Sequence, residues 1–492
     1  MRDERMRDVS QPALCVTVGA STTAGLRRQR DAVVGADLVE LRLDGVTDLD
    51  VAGALEGRRT PVLVTCRPRW EGGGFDGSEE ERRRILEAAR RAGADYVDVE
   101  WRAGFDGLVR SNHGRGIVLS MHDFGELPAD LGARIAEMRE TGAEVVKVAV
   151  RAAALADCAR LLPLRDAAPG IVVVAMGPCG LVTRVLPARF GSRWTYAGAR
   201  AELGQIPVER LLEEFRFRRL TARTELYGVV GRPIGHSLSP AIHNRAFEAS
   251  RVDAVYLPLE ATDARDFMAF AEAFGVRGAS VTAPFKPAFF DLVGEADPVT
   301  RRTGVLNTLR RTERGWAGRN TDVAGFLAPL DARGLALDQL RTAILGTGGA
   351  ARAVACGLGD RGARITVYGR EVERARRVAA LVDGAAAPWP PPAGSWDLLV
   401  HATPVGTYPD TEASPLPRAR LDGRIVYDLV YNPERTRLLR DASAAGCLAI
   451  GGLEMLVAQA ARQFEWWTGE RASLDSMREA AREGLARINL QA

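Results

Sequence analysis

Two side chains stand out by rarity and by the chemistry open to them. Of the 66 Lys and Arg residues in this 492-residue chain, only Lys147 and Lys286 are lysine. Arginine keeps its proton in any protein environment, whereas a lysine amine can lose it once burial lowers its pKa. Codon bias towards arginine would leave a few lysines by accident; a need for a neutral amine or a mobile proton would leave them at sites of chemistry. Lys147 lies in Glu144-Val-Val-Lys147-Val-Ala-Val150, which reads as a short buried strand. Alternation puts Val145, Lys147 and Ala149 on one face and Val146, Val148 and Val150 on the other. An amine in an apolar setting can attack a ketone and form a protonated imine, which acidifies the neighbouring carbon. His122, on one face with Val118 and Ser120, can take that proton and later give it to a leaving hydroxyl. A carboxylate would orient the imidazole, and arginines would hold an anionic substrate by paired hydrogen bonds.

The elements that must position these groups repeat as strand then helix over the first two hundred residues. Strand-like runs fall at Ala13–Ala20, Asp37–Asp44, Pro61–Arg67, Tyr96–Trp101, Gly116–Asp123, Glu144–Val150, Ile171–Gly177 and Trp194–Ala199. Amphipathic segments such as 79–92 and 130–141 separate them. Eight such units in about 210 residues predict a (β/α)8 barrel, with an open doubly wound sheet as the rival. The all-valine face of the sixth strand suits the outer helices, so Lys147 points into the barrel. Glu40 with Arg42, Asp98 with Glu100, and Arg67 also point inward. Most lie near strand C-terminal ends, where barrel enzymes keep their active sites. A structural salt-bridge network would account equally well for Asp98 and Glu100.

Glu40-Leu-Arg-Leu-Asp44, the run T-C-R-P-R-W-E-G-G at 65–73, S-M-H-D-F at 120–124, V-V-K-V-A-V and G-L-V-T-R at 180–184 occur in an order that resembles the type I 3-dehydroquinate dehydratases over about residues 10–215. The resemblance implies a Schiff-base lysine at Lys147, a general acid/base at His122 and its carboxylate partner at Glu71. It implies Glu40, Arg42, Arg67, Arg184 and Gln205 as ligands of substrate hydroxyls and carboxylate. The family's Ser-Ala-Pro-Gly-Gln covering loop is here Ala201-Glu-Leu-Gly-Gln205, so loop closure or substrate affinity is expected to differ. A Schiff-base aldolase would need a late phosphate-binding glycine loop, which the sequence lacks.

A helix over Val208–Thr221 leads directly into a second region. Ser237 and Ser239 stand beside a helix start where Ser239 can cap and Pro240 can follow. Thr282 precedes Lys286, and Asn307, Asn320 and Asp322 follow. An amine, amides and a carboxylate suit a polyhydroxylated substrate, although each could be a turn residue. Residues 341–367 read as a strand, the turn Gly346-Thr-Gly348-Gly349-Ala350-Ala351, a helix and a second strand at Arg364–Tyr368, a dinucleotide fingerprint in its required setting. Where an NAD enzyme places an acid after the second strand, this chain has Gly369-Arg370, with Arg374 one turn on; those cations favour the 2′-phosphate of NADP. Glu371 would repel that phosphate or pair with an arginine.

These motifs, together with Y-D-L-V-Y-N-P at 427–433 and G-G-L-E-M-L-V-A-Q at 451–459, resemble shikimate dehydrogenases over 226–490. The resemblance implies Ser237, Ser239, Thr282, Asn307, Asp322 and Gln459 as substrate ligands, Lys286 and Asp322 as the catalytic pair, and NADPH bound at Gly346, Gly348, Gly349, Ala350, Arg370 and Arg374. Ser280, Gly369 and Glu371 depart from the family's usual Asn, Asn and Thr. The expected organisation is α/β throughout: a dehydratase barrel (10–222), a substrate-binding domain (225–325) closed by C-terminal helices at about 466–490, and a Rossmann NADP-binding domain (326–465). The expected function is bifunctional: dehydration of 3-dehydroquinate to 3-dehydroshikimate, then NADPH-dependent reduction to shikimate, on the route to chorismate and the aromatic amino acids. Two other readings remain: a catabolic NAD-dependent quinate/shikimate dehydrogenase fused to a dehydratase, and a non-catalytic sensor of quinate-type ligands. The sensor reading conflicts with the presence of Lys147, His122, Lys286 and Asp322.

Bulk properties limit the partners. Net charge is +3 with both signs interspersed, so small-molecule substrates are expected, with neither nucleic acid nor membrane as partner and no metal. Cys15, Cys66, Cys158, Cys179, Cys356 and Cys447 are scattered, as expected of reduced thiols in the cytoplasm. Residues 1–10 carry both charges and lack a signal peptide's apolar core. The expected assembly is a monomer or a homodimer.

Overall fold

The computed structural model describes residues 11–167, 170–200 and 204–491. They divide into two compact units, one of residues up to 224 together with 259–274, the other of 225–258 and 275 onward. Residues 1–10 and Ala201, Glu202 and Leu203 of the altered loop, on which two of the expectations rest, lie outside the described residues.

In the first unit, strands β1 (Ala13–Gly19), β2 (Leu38–Arg42), β3 (Val62–Thr65), β4 (Tyr96–Glu100), β5 (Ile117–Asp123), β6 (Val145–Arg151), β7 (Val172–Met176) and β8 (Trp194–Ala197) form one parallel ladder in the order β8-β1-β2-β3-β4-β5-β6-β7. The sheet is the nearly closed barrel expected from eight βα repeats. Cys15, Leu38, Leu63, Tyr96, Val118, Val145, Ala149, Val172, Val174, Trp194 and Tyr196 pack as its interior. Each shares strand parity with the polar group predicted to point inward, so the period-2 reading holds on every strand that carries one. The helix Glu79–Arg91 shows why these repeats form: Ser78 caps it by accepting from Glu81 N, three acids fill its first turn and two arginines its last.

The continuous helix expected over Val208–Thr221 is not observed. The helical stretch ends at Glu214, and Arg216 takes a left-handed conformation (φ 53°) before a short turn at Phe217–Arg219. Phe215 and Phe217 are both buried, and the reversal between them lets both face inward.

The second unit holds two sheets. β9 (Glu225–Gly231), β10 (Ala254–Glu260), β11 (Val276–Val281), β12 (Glu295–Ala296), β13 (Thr308–Thr312) and β14 (Gly315–Arg319) run in the order β10-β9-β11-β13-β14-β12. β15 (Arg341–Leu345), β16 (Arg364–Gly369), β17 (Ala385–Pro388), β18 (Leu398–His401), β19 (Ile425–Asp428) and β20 (Leu448–Ile450) form a parallel sheet in the order β17-β16-β15-β18-β19-β20. Strand order reverses between β15 and β18, which opens a crevice at their C-terminal ends where doubly wound sheets bind dinucleotides. The helix Gly452–Thr468 serves both cores: Met455 packs with Ile344, Val400 and Tyr427, whereas Val457, Ala460 and Phe464 pack with Tyr227, Ile242 and Phe247. The last helix, Leu474–Gln491, adds Met477, Ala481 and Leu485 to the second of these cores. Closure by C-terminal helices therefore begins near 452 rather than 466. No helix among the described residues is long and apolar enough to cross a membrane.

Candidate active sites

Lys147 sits mid-barrel on β6 with 5 % of its surface exposed. Its Nζ donates to Asp98 Oδ2 at 3.1 Å, stands 3.9 Å from Glu40 Oε1 and lies 4.5 Å from the centre of the Tyr196 ring. The apolar surroundings expected for this lysine are therefore absent at its own level. Strand parity identifies the face a residue uses but not the layer it meets; the apolar layer lies nearer the strand N-termini, at Leu38, Leu63, Val118 and Val145. The charged layer is self-consistent. Glu40 accepts from Thr17 Oγ1 at 2.7 Å and from Thr65 Oγ1 at 2.8 Å. Burial raises the pKa of Asp98, but the Arg67 and Lys147 cations outweigh it and hold the carboxyl well below its usual range.

Arg67 is the hub of this layer. It donates to Glu100 at 2.7 Å, to Ser120 Oγ at 2.8 Å and to Asp98 Oδ1 at 2.9 Å, with Glu71 at 3.5 Å. Burial opposes its charge, yet Asp98, Glu100, Glu71 and Glu40 raise its pKa further. Glu100 also pairs with the fully buried Arg82. The sequence did not foresee these partners for Arg67. Arg42 is likewise held by a fork of two 2.8 Å bonds to Asp44.

His122 and Glu71 come together as the resemblance implied, Nδ1 and Oε2 2.9 Å apart. Residues 69–71 form a short helical turn after β3 that brings Glu71 back over the barrel mouth, and Gly72 leaves that turn in the left-handed region (φ 77°). Burial lowers the His122 pKa well below 6.5, and the Arg67 and Lys147 cations lower it further. Burial raises Glu71 to about 8, against Arg67 and with help from Glu100 and Asp98. At neutral pH the imidazole is thus a free base and the carboxyl holds a proton.

Arg184, in the helix Leu181–Val185, is buried and reaches the Tyr196 carbonyl at 3.5 Å; burial lowers its pKa to about 10. Gln205 folds back on its own loop, accepting from Arg200 N at 3.2 Å. Tyr196, on the same face of β8 as Trp194, carries the same inward signal in the sequence as Lys147 and belongs with the candidate residues.

The second unit contains a cleft of about 350 Å³ that gathers Ser237, Ser239, Thr282, Lys286, Asn307, Asp322, Ala350 and Gln459. Lys286 Nζ donates to Asp322 Oδ2 at 2.6 Å, and Asn307 Nδ2 donates to the other carboxylate oxygen at 2.7 Å and to Gln459 Oε1 at 3.3 Å. Thr321 N donates to Asn307 Oδ1 at 2.8 Å, fixing which end of the amide faces Asp322. Capping differs from expectation. Ser239 is the first helical residue, not the cap; Ser237 Oγ accepts its N–H at 3.3 Å. Ser280, where the resemblance led us to expect asparagine, accepts from Tyr256 Oη at 2.6 Å and donates to Gln463 Oε1 at 2.7 Å, so the shorter side chain is built into the cleft floor. Gln463 lies one turn beyond Gln459 on the same helix, a spacing that could have revealed it.

The fingerprint loop fits a dinucleotide. Gly346 has φ 128°, and a Cβ there would meet the Ala402 carbonyl at 2.6 Å. A Cβ on Gly348 would meet nothing within 4 Å, so that side of the loop is open. The helix Gly349–Gly359 begins with no side-chain cap, which leaves its N–H groups to a phosphate. A Cβ on Gly349 would stand 3.4 Å from Lys286 Cδ, so the lysine stem borders the cofactor loop. Glu371 pairs with Arg374 at 2.9 Å.

Comparison with known proteins places both units. The family model for type I 3-dehydroquinase matches residues 14–221; those for the shikimate dehydrogenase substrate binding domain and the shikimate 5'-dehydrogenase C-terminal domain match 229–309 and 452–482. A chloroplastic bifunctional 3-dehydroquinate dehydratase/shikimate dehydrogenase of Arabidopsis thaliana is 33 % identical over 475 residues, covering 89 % of this chain and 78 % of that protein. The chain belongs to the bifunctional 3-dehydroquinate dehydratase/shikimate dehydrogenase family. In this bifunctional enzyme the second unit also resembles stand-alone proteins. The NADP(+) shikimate dehydrogenase of Moorella thermoacetica is 39 % identical over 282 residues, 54 % of this chain and 96 % of that one. A shikimate dehydrogenase solved in complex with NADP+ is 29 % identical with a TM-score of 0.52, covering 54 % of this chain and 97 % of that one.

Proposed function

We propose that Lys147 and His122 dehydrate 3-dehydroquinate in the barrel, and that Lys286 and Asp322 serve NADPH-dependent reduction of 3-dehydroshikimate to shikimate in the second unit. The observation that carries the reading is a buried lysine with a neutral histidine beside it, its Nδ1 fixed by Glu71 at 2.9 Å.

The Lys147 amine attacks the substrate ketone and one water leaves as the imine forms. His122 carries its proton on Nδ1, donated to Glu71, and takes a proton from the adjacent carbon through Nε2. The imidazolium then gives that proton to the departing hydroxyl, which leaves as the second water. Hydrolysis of the imine consumes one water and restores the amine, so the net change is loss of a single water. Arg184, Arg42 and Gln205 serve the substrate's carboxylate and hydroxyls, with Glu40. Arg67 we read differently from the family pattern: its Nη1 and Nη2 already bind Glu100, Ser120 and Asp98, so it holds the carboxylate layer in place.

In the second unit, Ser237, Ser239, Thr282, Asn307 and Gln459 orient the ring, and Lys286 gives a proton to the carbonyl oxygen as it becomes a hydroxyl. Asp322 fixes the lysine by a 2.6 Å bond. When bound, NADPH supplies the hydride. Gly346, Gly348, Gly349 and Ala350 would form its cradle, and Arg370 with Arg374 would hold the 2′-phosphate.

Borohydride reduction with 3-dehydroquinate, followed by peptide mapping, tests the barrel. A stable adduct on Lys147 and none on Lys286 is the expected result; intact dehydratase activity with no trappable adduct would overturn it. Rates of shikimate oxidation with NADP+ and NAD+ test the cofactor, and a clear preference for NAD+ would favour the catabolic reading.

A further inference from the structure

The dinucleotide crevice is backed by a buried hydrogen-bond chain that the proposed mechanism leaves unused. His401 closes β18 with none of its surface exposed. Its Nδ1 lies 2.8 Å from Asp428 Oδ1 at the end of the neighbouring strand β19, and its Nε2 contacts Thr403 Oγ1 in the loop just beyond β18. Asp428 is itself fixed, accepting from Val430 N at 3.0 Å and from Thr436 Oγ1 at 2.6 Å. The polarity of the chain follows. An aspartate carboxylate only accepts, so His401 donates from Nδ1, and its Nε2 is left to the Thr403 hydroxyl.

The end of this chain lies at the crevice. β15 and β18 flank the point where strand order reverses, and the Ala402 carbonyl passes directly under Gly346. A Cβ on Gly346 would meet Thr403 Cγ2 at 3.2 Å, so Thr403 borders the first glycine of the cradle. At the other end, Leu429 and Tyr431, which flank the Val430 held by Asp428, line the substrate cleft.

We propose that His401 and Thr403 are positioning residues for the dinucleotide: the Asp428–His401–Thr403 chain fixes the 402–406 loop as the back wall of the crevice and sets where the cofactor rests. The proposal rests on the reading of this unit as a dinucleotide-dependent reductase. Thr403→Val keeps the shape and removes the hydroxyl; Thr403→Ser keeps it. Calorimetric titration of the full chain with NADPH reads the effect directly. Loss of the bond is expected to weaken NADPH binding about tenfold in Thr403→Val, equivalent to about 1.4 kcal/mol, with serine restoring affinity and the KM for shikimate unchanged in both. Wild-type binding by Thr403→Val overturns the proposal, as does an equal rise in the shikimate KM, which would mean general damage to the unit. Thr403→Ala is the second variant and must lose affinity as valine does. Wild-type chain that binds no NADPH would instead overturn the reductase reading on which the proposal rests.

Discussion

Replacing Glu71 by Gln should remove a pH dependence of the barrel's stability. In the native barrel the Glu71 carboxyl is raised from 4.5 to about 8, chiefly by burial. Between those values the native state holds a proton that the unfolded chain has released. Acid therefore favours the native state, and stability falls as pH rises towards 8. His122 acts in the opposite sense. Its native pKa lies below 6.5, so below that pH the unfolded imidazole binds a proton the native one lacks, and stability rises with pH. Above 6.5 the unfolded imidazole gives up its remaining half proton within about one pH unit, an opposing effect of about 0.4 kcal/mol, and the Glu71 effect dominates. One pH unit is worth about 1.4 kcal/mol per proton; with Glu71 half ionised by pH 8 and His122 opposing, wild type should lose about 1 kcal/mol of barrel stability between pH 6.5 and 8. Glutamine keeps a neutral partner for His122 Nδ1 and does not titrate, so Glu71→Gln should show little of this slope and be the more stable form at pH 8. Hydrogen exchange of peptides from β5 and β6, corrected for intrinsic rates, reads the barrel separately from the second unit. Parallel pH profiles for the two proteins would refute the argument, as would a wild-type barrel that gains stability from pH 6.5 to 8.

Three further outcomes follow from the geometry. His122→Ala should lower dehydratase kcat by about 10²–10⁴ while borohydride still traps substrate on Lys147, because solvent can supply the proton with which the carbinolamine hydroxyl leaves; loss of trapping would give His122 an earlier role. Lys286→Met should abolish most shikimate oxidation and leave the dehydratase rate unchanged, measured on the same preparation. Glu371→Thr should lower the KM for NADP+ by a factor of about two to five at low salt, since the Glu371–Arg374 pair is more than half exposed and such pairs contribute about 1 kcal/mol or less; no change would mean that Arg374 does not meet the 2′-phosphate.

The barrel was legible because its signal is local and periodic. A strand that alternates valine with Lys147 states which side is inside, and eight such runs state the architecture. What the sequence withheld are relations between strands: that Arg67 would spend its guanidinium on Asp98 and Glu100, or that Glu40 would be met by Thr17 and Thr65 from the strands on either side. β17 escaped because Ala385–Pro388 runs into Trp-Pro-Pro-Pro and has no apolar alternation; it is a strand because β16 offers it an edge. The break at Arg216 escaped because arginine is an ordinary helix residue, and only burial of both flanking phenylalanines selects the left-handed turn. His401 gave no local sign at all: one histidine after three apolar residues acquires meaning only when β19 brings Asp428 beside it.

The two lysines that began as a compositional oddity form the same pair, an amine on an aspartate, at 3.1 Å in the barrel and 2.6 Å in the cleft. Their neighbours make the pairs do different things. Removing one partner of a buried ion pair is costly because the other charge is left uncompensated. Asp98 avoids that penalty: when Lys147 becomes part of an imine and shifts, Arg67 remains 2.9 Å from the other carboxylate oxygen and Ser120 still donates to it. The barrel lysine can therefore leave its aspartate during the reaction. Asp322 has the neutral Asn307 amide as its other side-chain donor, so a Lys286 drawn into covalent chemistry would strand a carboxylate that is 7 % exposed. Lys286 is held where it is, with its stem against Gly349 and its Nζ on Asp322. In the proposed mechanism it is the second cation beside Asp98, more than the lysine itself, that permits imine formation in the barrel, whereas among the described residues no second cation pairs with Asp322 and the other lysine is left to move a proton.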